Sequence, residues 1–276
     1  MTEIFGFDAY APKEIAERVE TIGVTKARLP LLSQIALGVL AGGFIGLGAL
    51  YSTVVTSDTN LGFAVSRVLG GLAFSLGLIL VVVAGAELFT GNNLSVMAWA
   101  SQRITTGELL RNWLVIYCAN FAGALGLVAV VYLSNHWQMN GAAVGAQAVK
   151  IAAAKAALPF SEAFLKGVLC NILVCLAVWL ALAGRSIADK ICAIVFPISA
   201  FVAAGFEHSV ANMYLIPLGI LLKDRVAVAG AEQLNWNGLW SNLVPVTLGN
   251  IAGGSVMVAL VYYFIYQRGQ AASKSN

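Results

Sequence analysis

Two nine-residue stretches hold most of the side chains able to do chemistry in this chain. Ala84-Gly85-Ala86-Glu87-Leu88-Phe89-Thr90-Gly91-Asn92 and Ala204-Gly205-Phe206-Glu207-His208-Ser209-Val210-Ala211-Asn212 share the pattern A-G-x-E-x4-N. Each sets an acid, a helix-disrupting glycine and hydrogen-bonding side chains in the middle of a long apolar run. An unpaired polar group is costly there and belongs by default to a substrate path. His208 is one of two histidines in the protein. A neutral imidazole can donate to a small anion with one ring nitrogen while a neighbour holds the other, so it binds without trapping. Thr90 is its natural opposite number: its hydroxyl can bond the same substrate, fix the ring tautomer, or bond back to its own helix. Asn212, four positions after His208, can orient the ring or line the path. Glu87 and Glu207 read as structural, accepting from backbone N–H groups freed at a broken helix, in preference to contacting an anion that a bare carboxylate would repel. Gly85 and Gly205 mark the breaks; their alternative role is close packing in continuous helices.

Apolar side chains around these centres have a reading too. Phe74, Leu78, Leu88 and Phe201 can pinch a path above and below the polar centre, a constriction that limits ion flow by dewetting. Taken singly, each would pass as packing or lipid-facing. Lys155, Lys166 and Asn171 fall at or just inside the outer end of the fourth apolar run, where a lysine can simply snorkel or draw anions toward a pore mouth. No H-E-x-x-H, G-x-S-x-G or Walker A motif is present. With one histidine inside an apolar run, soft ligands are too few for a metal site. No cofactor and no catalysis are expected, and Gly42-x3-Gly46 reads as helix packing.

The elements that must position these residues are membrane helices. The 276 residues are 59% hydrophobic and 11% charged, with mean hydropathy +0.84, which leaves too little polar surface for a soluble globule. Runs long enough to cross a hydrocarbon core, about 20 residues each, lie near 31–54, 67–101, 109–133, 161–183, 189–222 and 240–266. An all-α protein with six spans is expected; no alternating strand pattern recurs, which argues against a β-barrel. The net charge of +3 is too small to suggest nucleic acid. Ten basic residues, among them Arg103, Arg111 and Arg185, fall on one side of the six-span layout and six on the other, placing both termini in the cytoplasm. Cys118, Cys170, Cys175 and Cys192 all fall inside spans without a C-x-x-C pair and read as small packing residues.

Glu3, Asp8, Glu14, Glu17 and Glu20, with no apolar segment among them, exclude a signal peptide at the start of the chain. Pro12 at a helix start, Ile15, Val19 and Ile22 on one face and Gly23 as a stop predict a short amphipathic helix, an anchor or a plug. This gives an N-terminal segment 1–29, a channel domain 30–267 and a cytoplasmic tail 268–276. Within the channel domain, Asn112-x7-Asn120-Phe-Ala-Gly123 recurs as Asn242-x7-Asn250-Ile-Ala-Gly253. Gly38-Val39-Leu40-Ala41 recurs, at nearly the same offset, as Gly167-Val168-Leu169-Cys170. Two three-span repeats, about 31–133 and 161–266, follow. An odd number of spans inverts the second copy, and paired broken helices, here spans 2 and 5, are the sequence pointer to a transport site near the midplane.

At the level of motifs the chain resembles the formate/nitrite transporter family along nearly its whole length. The resemblance rests on F-S-L-G-L-I-L (74–80), A-G-A-E-L-F-T (84–90), C-N-I-L-V-C-L-A-V-W (170–179), G-F-E-H-S-V-A-N-M (205–213) and L-V-P-V-T-L-G-N (243–250). Gly184-Arg185-Ser186, Asp189-Lys190, Phe196-Pro197 and Ile216-Pro217 look most like its formate-channel branch, whereas Gly91-Asn92-Asn93 departs from the serine and threonine run of that branch. The resemblance implies an aquaporin-like protomer in a homopentamer of the bacterial-type inner membrane, with a pore in each protomer. It further implies that His208 is the central hydrogen-bonding or proton-exchanging residue, partnered by Thr90. Asn171 and Asn212 would line the vestibules, Lys155 and Glu207 would complete the electrostatics of the histidine, and Phe74, Leu78, Leu88 and Phe201 would form the constrictions. The expected cargo is formate or a similar small monovalent anion, moved passively or with protons; nitrite and hydrosulfide are the alternatives within the family. A neutral-solute pore of the water and glycerol type is the competing reading from outside it, since fold does not fix function.

Overall fold

A computed structural model describes residues 9–231 and 234–267, and all regular structure among them is helical. The helices are α1 (Pro12–Ala27), α2 (Leu31–Thr56), α3 (Phe63–Ile79), α4 (Phe89–Asn92), α5 (Val96–Ala100), α6 (Thr106–Leu133), α7 (Ala143–Ala156), α8 (Phe160–Ala183), α9 (Ile187–Ala204), α10 (Ser209–Leu222), α11 (Trp236–Ile251) and α12 (Val261–Tyr266). Among the described residues six helices are long and apolar enough to span a membrane: Leu31–Thr56, Phe63–Gly85, Thr106–Leu133, Phe160–Ala183, Ile187–Ala204 and Trp236–Tyr266. The expected all-α fold with six spans is the fold observed. The tail assigned to 268–276 lies outside the described residues.

Spans 2 and 5 are both broken. After α3 the chain winds through wide π turns over Leu80–Gly85, while α9 ends directly at Gly205. Gly85 and Gly205 both have positive φ, +87° and +75°, so each terminates its helix in the left-handed conformation that glycine adopts without a Cβ penalty. A short extended segment follows, and a new helix starts after Leu88 in the first repeat and after His208 in the second. The halves that follow differ. The first is pieced together from α4, a 3₁₀ turn over Asn93–Ser95 and α5; the second is the single helix α10, nearly all of it buried.

The spans cross closely because backbones face small residues. A Cβ added at Gly123 on α6 would collide with the carbonyl oxygen of Val39 on α2, and one added at Gly253 with that of Val168 on α8. These are the same contact in two copies, since Gly253 is the repeat mate of Gly123 and Val168 that of Val39. With lipid tails as apolar as the helix surfaces, such close approach is a main source of helix association in a bilayer. Tyr117 on α6 and Thr247 on α11 are themselves repeat mates, and their hydroxyls meet at 2.9 Å. Their bond therefore sits where the pseudo-two-fold axis crosses the molecule.

The repeat begins earlier than the sequence reading places it. α1 and α7 occupy equivalent positions, each ahead of the first span of its repeat, and Lys26 and Lys155 near their C-termini are separated by the same offset as Gly38 and Gly167. Lys155 is thus not at the end of span 4 but on a separate helix in the connection between repeats. The predicted stop at Gly23 is also absent. α1 runs on to Ala27, because Gly23 is where α1 presses on the first half-helix: a Cβ there would lie 3.1 Å from Ala98 Cβ and 3.2 Å from Ser95 Cα. Ile15 and Val19 are buried against that half-helix and the last span, with Ile22 partly covered. α1 is therefore packed into the channel body, and the boundary drawn at residue 29 cuts through a packed unit.

Candidate functional site

Breaking a helix inside a membrane frees backbone groups that must find partners. Two buried asparagines supply them. Asn120 Oδ1 accepts from Phe89 N at 2.9 Å, and its Nδ2 donates to Gly38 O at 2.8 Å and Glu87 O at 2.9 Å. Asn250 Oδ1 accepts from Ser209 N at 2.9 Å, and its Nδ2 donates to Gly167 O at 2.8 Å and Glu207 O at 3.0 Å. This corrects the expectation that Glu87 and Glu207 accept the freed N–H groups. One break presents an N–H and a C=O together, and an amide carries both a donor and an acceptor where an ionised carboxylate only accepts.

The glutamate carboxylates have other partners. Glu87 takes Lys26 Nζ at 2.9 Å and Asn92 Nδ2 at 2.8 Å; Glu207 takes Lys155 Nζ at 2.8 Å and Asn212 Nδ2 at 2.7 Å. Asn112 accepts from Asn92 and donates to Lys26 O, while Asn242 accepts from Asn212 and donates to Lys155 O. Each repeat thus closes one ring of lysine, glutamate and two asparagines, tying the helix ahead of its first span to its broken span. A buried carboxylate is tolerable here because both an ammonium and amide N–H groups meet it. Lys26, Asn112, Asn120, Asn242 and Asn250 were not among the predicted site residues. The signal was available for all five: the Asn-x7-Asn spacing occurs in both repeats, and Lys26 and Lys155 share the Gly38-to-Gly167 offset.

His208 sits where this symmetry fails. It opens the half-helix α10, and Ala211 N donates to its Nδ1 at 3.0 Å, so the ring caps its own helix. With Nδ1 accepting, the neutral ring carries its proton on Nε2, which lies 3.0 Å from Thr90 Oγ1 and donates to it. The Phe201 ring stacks on the imidazole, centroids 5.9 Å apart, and meets Phe74 edge-on at 5.5 Å. The repeat mate of His208 is Leu88 rather than Thr90. Both residues open a half-helix with similar backbone angles, one apolar and one polar.

Two cavities lie beside this centre, one lined by residues of the second break and the other by residues of the first. One, of about 330 Å³, is lined by Phe74, Phe201, Glu207, His208, Lys155, Lys166 and Arg67 among others. The second, of about 350 Å³, is lined by Leu78, Leu88, Gly85, Glu87 and Lys26 among others. The aromatic pair thus lines the histidine-side cavity together with His208, the two leucines line the other, and Thr90 is buried and lines neither. Asn171 and Asn212 face neither cavity. Asn171 Nδ2 donates to Thr90 O at 3.3 Å, Asn93 Oδ1 at 2.8 Å and Asn250 O at 2.7 Å, so it clamps the loop that presents Thr90. Asn212 is engaged by Glu207 and Asn242, and a backbone amide orients His208 instead. Among the described residues no cluster of three or more His, Cys, Asp or Glu is placed to hold a metal ion.

Known proteins resemble this chain in sequence and fold. The chain is 41% identical over 274 residues to the formate channel FocA of Escherichia coli strain K12, across 95% of this chain and 96% of that protein. A solved pentameric formate channel with formate bound is 40% identical, with TM-score 0.80 across 86% of this chain and 98% of that one. The aquaglyceroporin from Plasmodium falciparum, 14% identical, has TM-score 0.51 over 84% of this chain and 99% of that one, a likeness of fold alone. Six apolar spans and these relatives make the chain a multi-pass membrane protein with an aquaporin-like fold. The description Formate/nitrite transporter matches residues 13–264, and the chain belongs to that family.

Proposed function

We propose that each protomer conducts small monovalent anions, chiefly formate, through the two cavities and past the Thr90–His208 pair. The observation that carries the reading is that pair. It forms a hydrogen-bonded polar centre that one cavity reaches at His208, beside Phe74 and Phe201, while the other is lined by Leu88 and Gly91, chain neighbours of Thr90. An anion entering it exchanges the Thr90 contact for its own hydrogen bond to His208 Nε2–H, so the polar group is satisfied whether the path is occupied or empty. Of the two roles expected for His208, hydrogen bonding fits better than proton donation. An imidazolium would turn an Nδ1–H toward the Ala211 N–H that now bonds to Nδ1, setting donor against donor. A proton travelling with the anion would then come from water in the cavities.

The likeness to a pentameric formate channel supports a homopentamer of independent pores, and the excess of basic residues on one side supports cytoplasmic termini in a bacterial-type inner membrane. Transport without catalysis is the corresponding reading of the absent enzyme motifs. Formate flux into proteoliposomes tests the proposal. Wild type carries formate, and His208→Asn, which loses the ring N–H and its stacking on Phe201, lowers that flux by at least tenfold. Unchanged flux in the variant would reduce His208 to packing.

A further inference from the structure

The two cavities are equivalent in architecture but unequal in charge, and Arg67 is the main cause. Each holds one lysine–glutamate pair, Lys155 with Glu207 on the histidine side and Lys26 with Glu87 on the other. The histidine-side cavity is lined by two further cations, Arg67 and Lys166; the other has none. Lys166 is paired with Glu162 at 3.3 Å. Among the described residues no carboxylate pairs with Arg67. Its Nε donates to Ala203 O at 2.9 Å, one of the carbonyls left free where α9 ends, and its guanidinium carbon lies 5.8 Å from the Phe63 ring centroid. The bond to Ala203 engages Nε and leaves the N–H groups on Nη1 and Nη2 for a ligand.

Gly205 builds the seat. A Cβ at this position would come within 2.6 Å of Arg67 Nη2, whereas nothing lies within 4 Å of the Cβ position at Gly85, its repeat mate. The glycine needed to end the helix in the second repeat therefore also admits the guanidinium, and the first repeat has no equivalent. Glu207 and Lys155 offset one another within the same cavity, so the local excess is positive, and low-dielectric walls focus such a field.

We propose that Arg67 is an anion-capturing residue that makes the two mouths of the pore unequal: the histidine-side mouth binds a carboxylate on entry, and the opposite mouth does not. The fork of a guanidinium matches the two oxygens of a carboxylate. Arg67 does not touch the Thr90–His208 centre; it sets the anion concentration and orientation supplied to it. The proposal rests on the anion-channel reading above.

The test is formate uptake and release by proteoliposomes of the full-length protein, with orientation fixed by the accessibility of a terminal tag and saturation measured from each face at two ionic strengths. In wild type the half-saturating formate concentration is lower on the histidine-side face and rises with ionic strength, as a screened charge requires. Arg67→Gln raises it on that face by on the order of threefold to tenfold, removes most of its salt dependence, and leaves the other face unchanged. Arg67→Lys retains the salt dependence. Gln147→Glu, a carboxylate on the same cavity wall that leaves the Arg67–Ala203 bond in place, reproduces the one-sided effect. Equal changes from both faces in Arg67→Gln would make Arg67 a helix cap and no more, and no change on either face would equally overturn the proposal. Absence of formate flux in wild type would instead overturn the channel reading on which it depends.

Discussion

Replacing Asn250 by alanine should damage the protein more than the volume of the side chain suggests. The amide holds three backbone groups at once, Ser209 N, Gly167 O and Glu207 O, all within 2.8–3.0 Å, and is itself fully buried. Orphaning a buried polar group costs roughly 1–3 kcal/mol, while interhelical hydrogen bonds measured in membrane proteins average about 0.6 kcal/mol with an upper end near 1.7. Three groups at about 1 kcal/mol each give a loss of about 3 kcal/mol, with about 2 as the floor. Asn120→Ala should lose the same within about 0.5 kcal/mol, because its three bonds are the repeat copies of these, and the double variant should show additive losses for two separated sites. Asn250→Asp separates hydrogen bonding from packing. It preserves shape and the acceptor for Ser209 N but faces a carboxylate oxygen to two carbonyl oxygens, so it should cost at least as much as alanine. Thermal and denaturant unfolding in detergent micelles measures all four variants. A loss under about 0.5 kcal/mol in either alanine variant, or an aspartate variant as stable as wild type, would refute the account in which these asparagines hold the broken helices together.

Gly205→Ala and Gly85→Ala should lower the unfolding midpoint by similar amounts: both bear the left-handed backbone penalty of about 1–2 kcal/mol, and the Arg67 tip that a Cβ at Gly205 would meet is the exposed end of a flexible side chain that can move aside. Lys155→Met should cost about 3–5 kcal/mol by stranding the buried Glu207 carboxylate, and adding Glu207→Gln should recover part of that loss in the same unfolding assay. Lys26→Met should cost less, since the Lys26 side chain is 26% exposed against 17% for Lys155. A double-mutant cycle of Tyr117→Phe and Thr247→Val should return a coupling of about 0.6–1.7 kcal/mol; no coupling would mean that the two repeats do not depend on this bond at their axis.

The sequence by itself determined the class and much of the plan. Apolar runs of spanning length permit only helices, because backbone groups in lipid must be satisfied within the segment. The repeated A-G-x-E-x4-N and Asn-x7-Asn spacings located both breaks and the repeat that relates them. It also singled out His208, since a polar residue in an apolar run stands out without any structure. Partnership was what the sequence did not determine. The glutamates are the strongest acceptors near the freed N–H groups along the chain, yet the groups that reach the breaks come from the third and sixth spans, each a whole span further along. Asn171 and Asn212, expected beside a path, turned out to hold the loops that border it. Lys26 sits on an amphipathic N-terminal helix that looks separable in sequence, and only packing makes that helix the mate of α7. The A-G-x-E-x4-N alignment already sets Leu88, not Thr90, opposite His208; only the tertiary structure decided that Thr90 nonetheless meets His208, and that one glycine lies against an arginine while its twin faces open space. Spacing along a chain fixes which elements repeat. Which side chains meet depends on how helices from both copies cross in three dimensions.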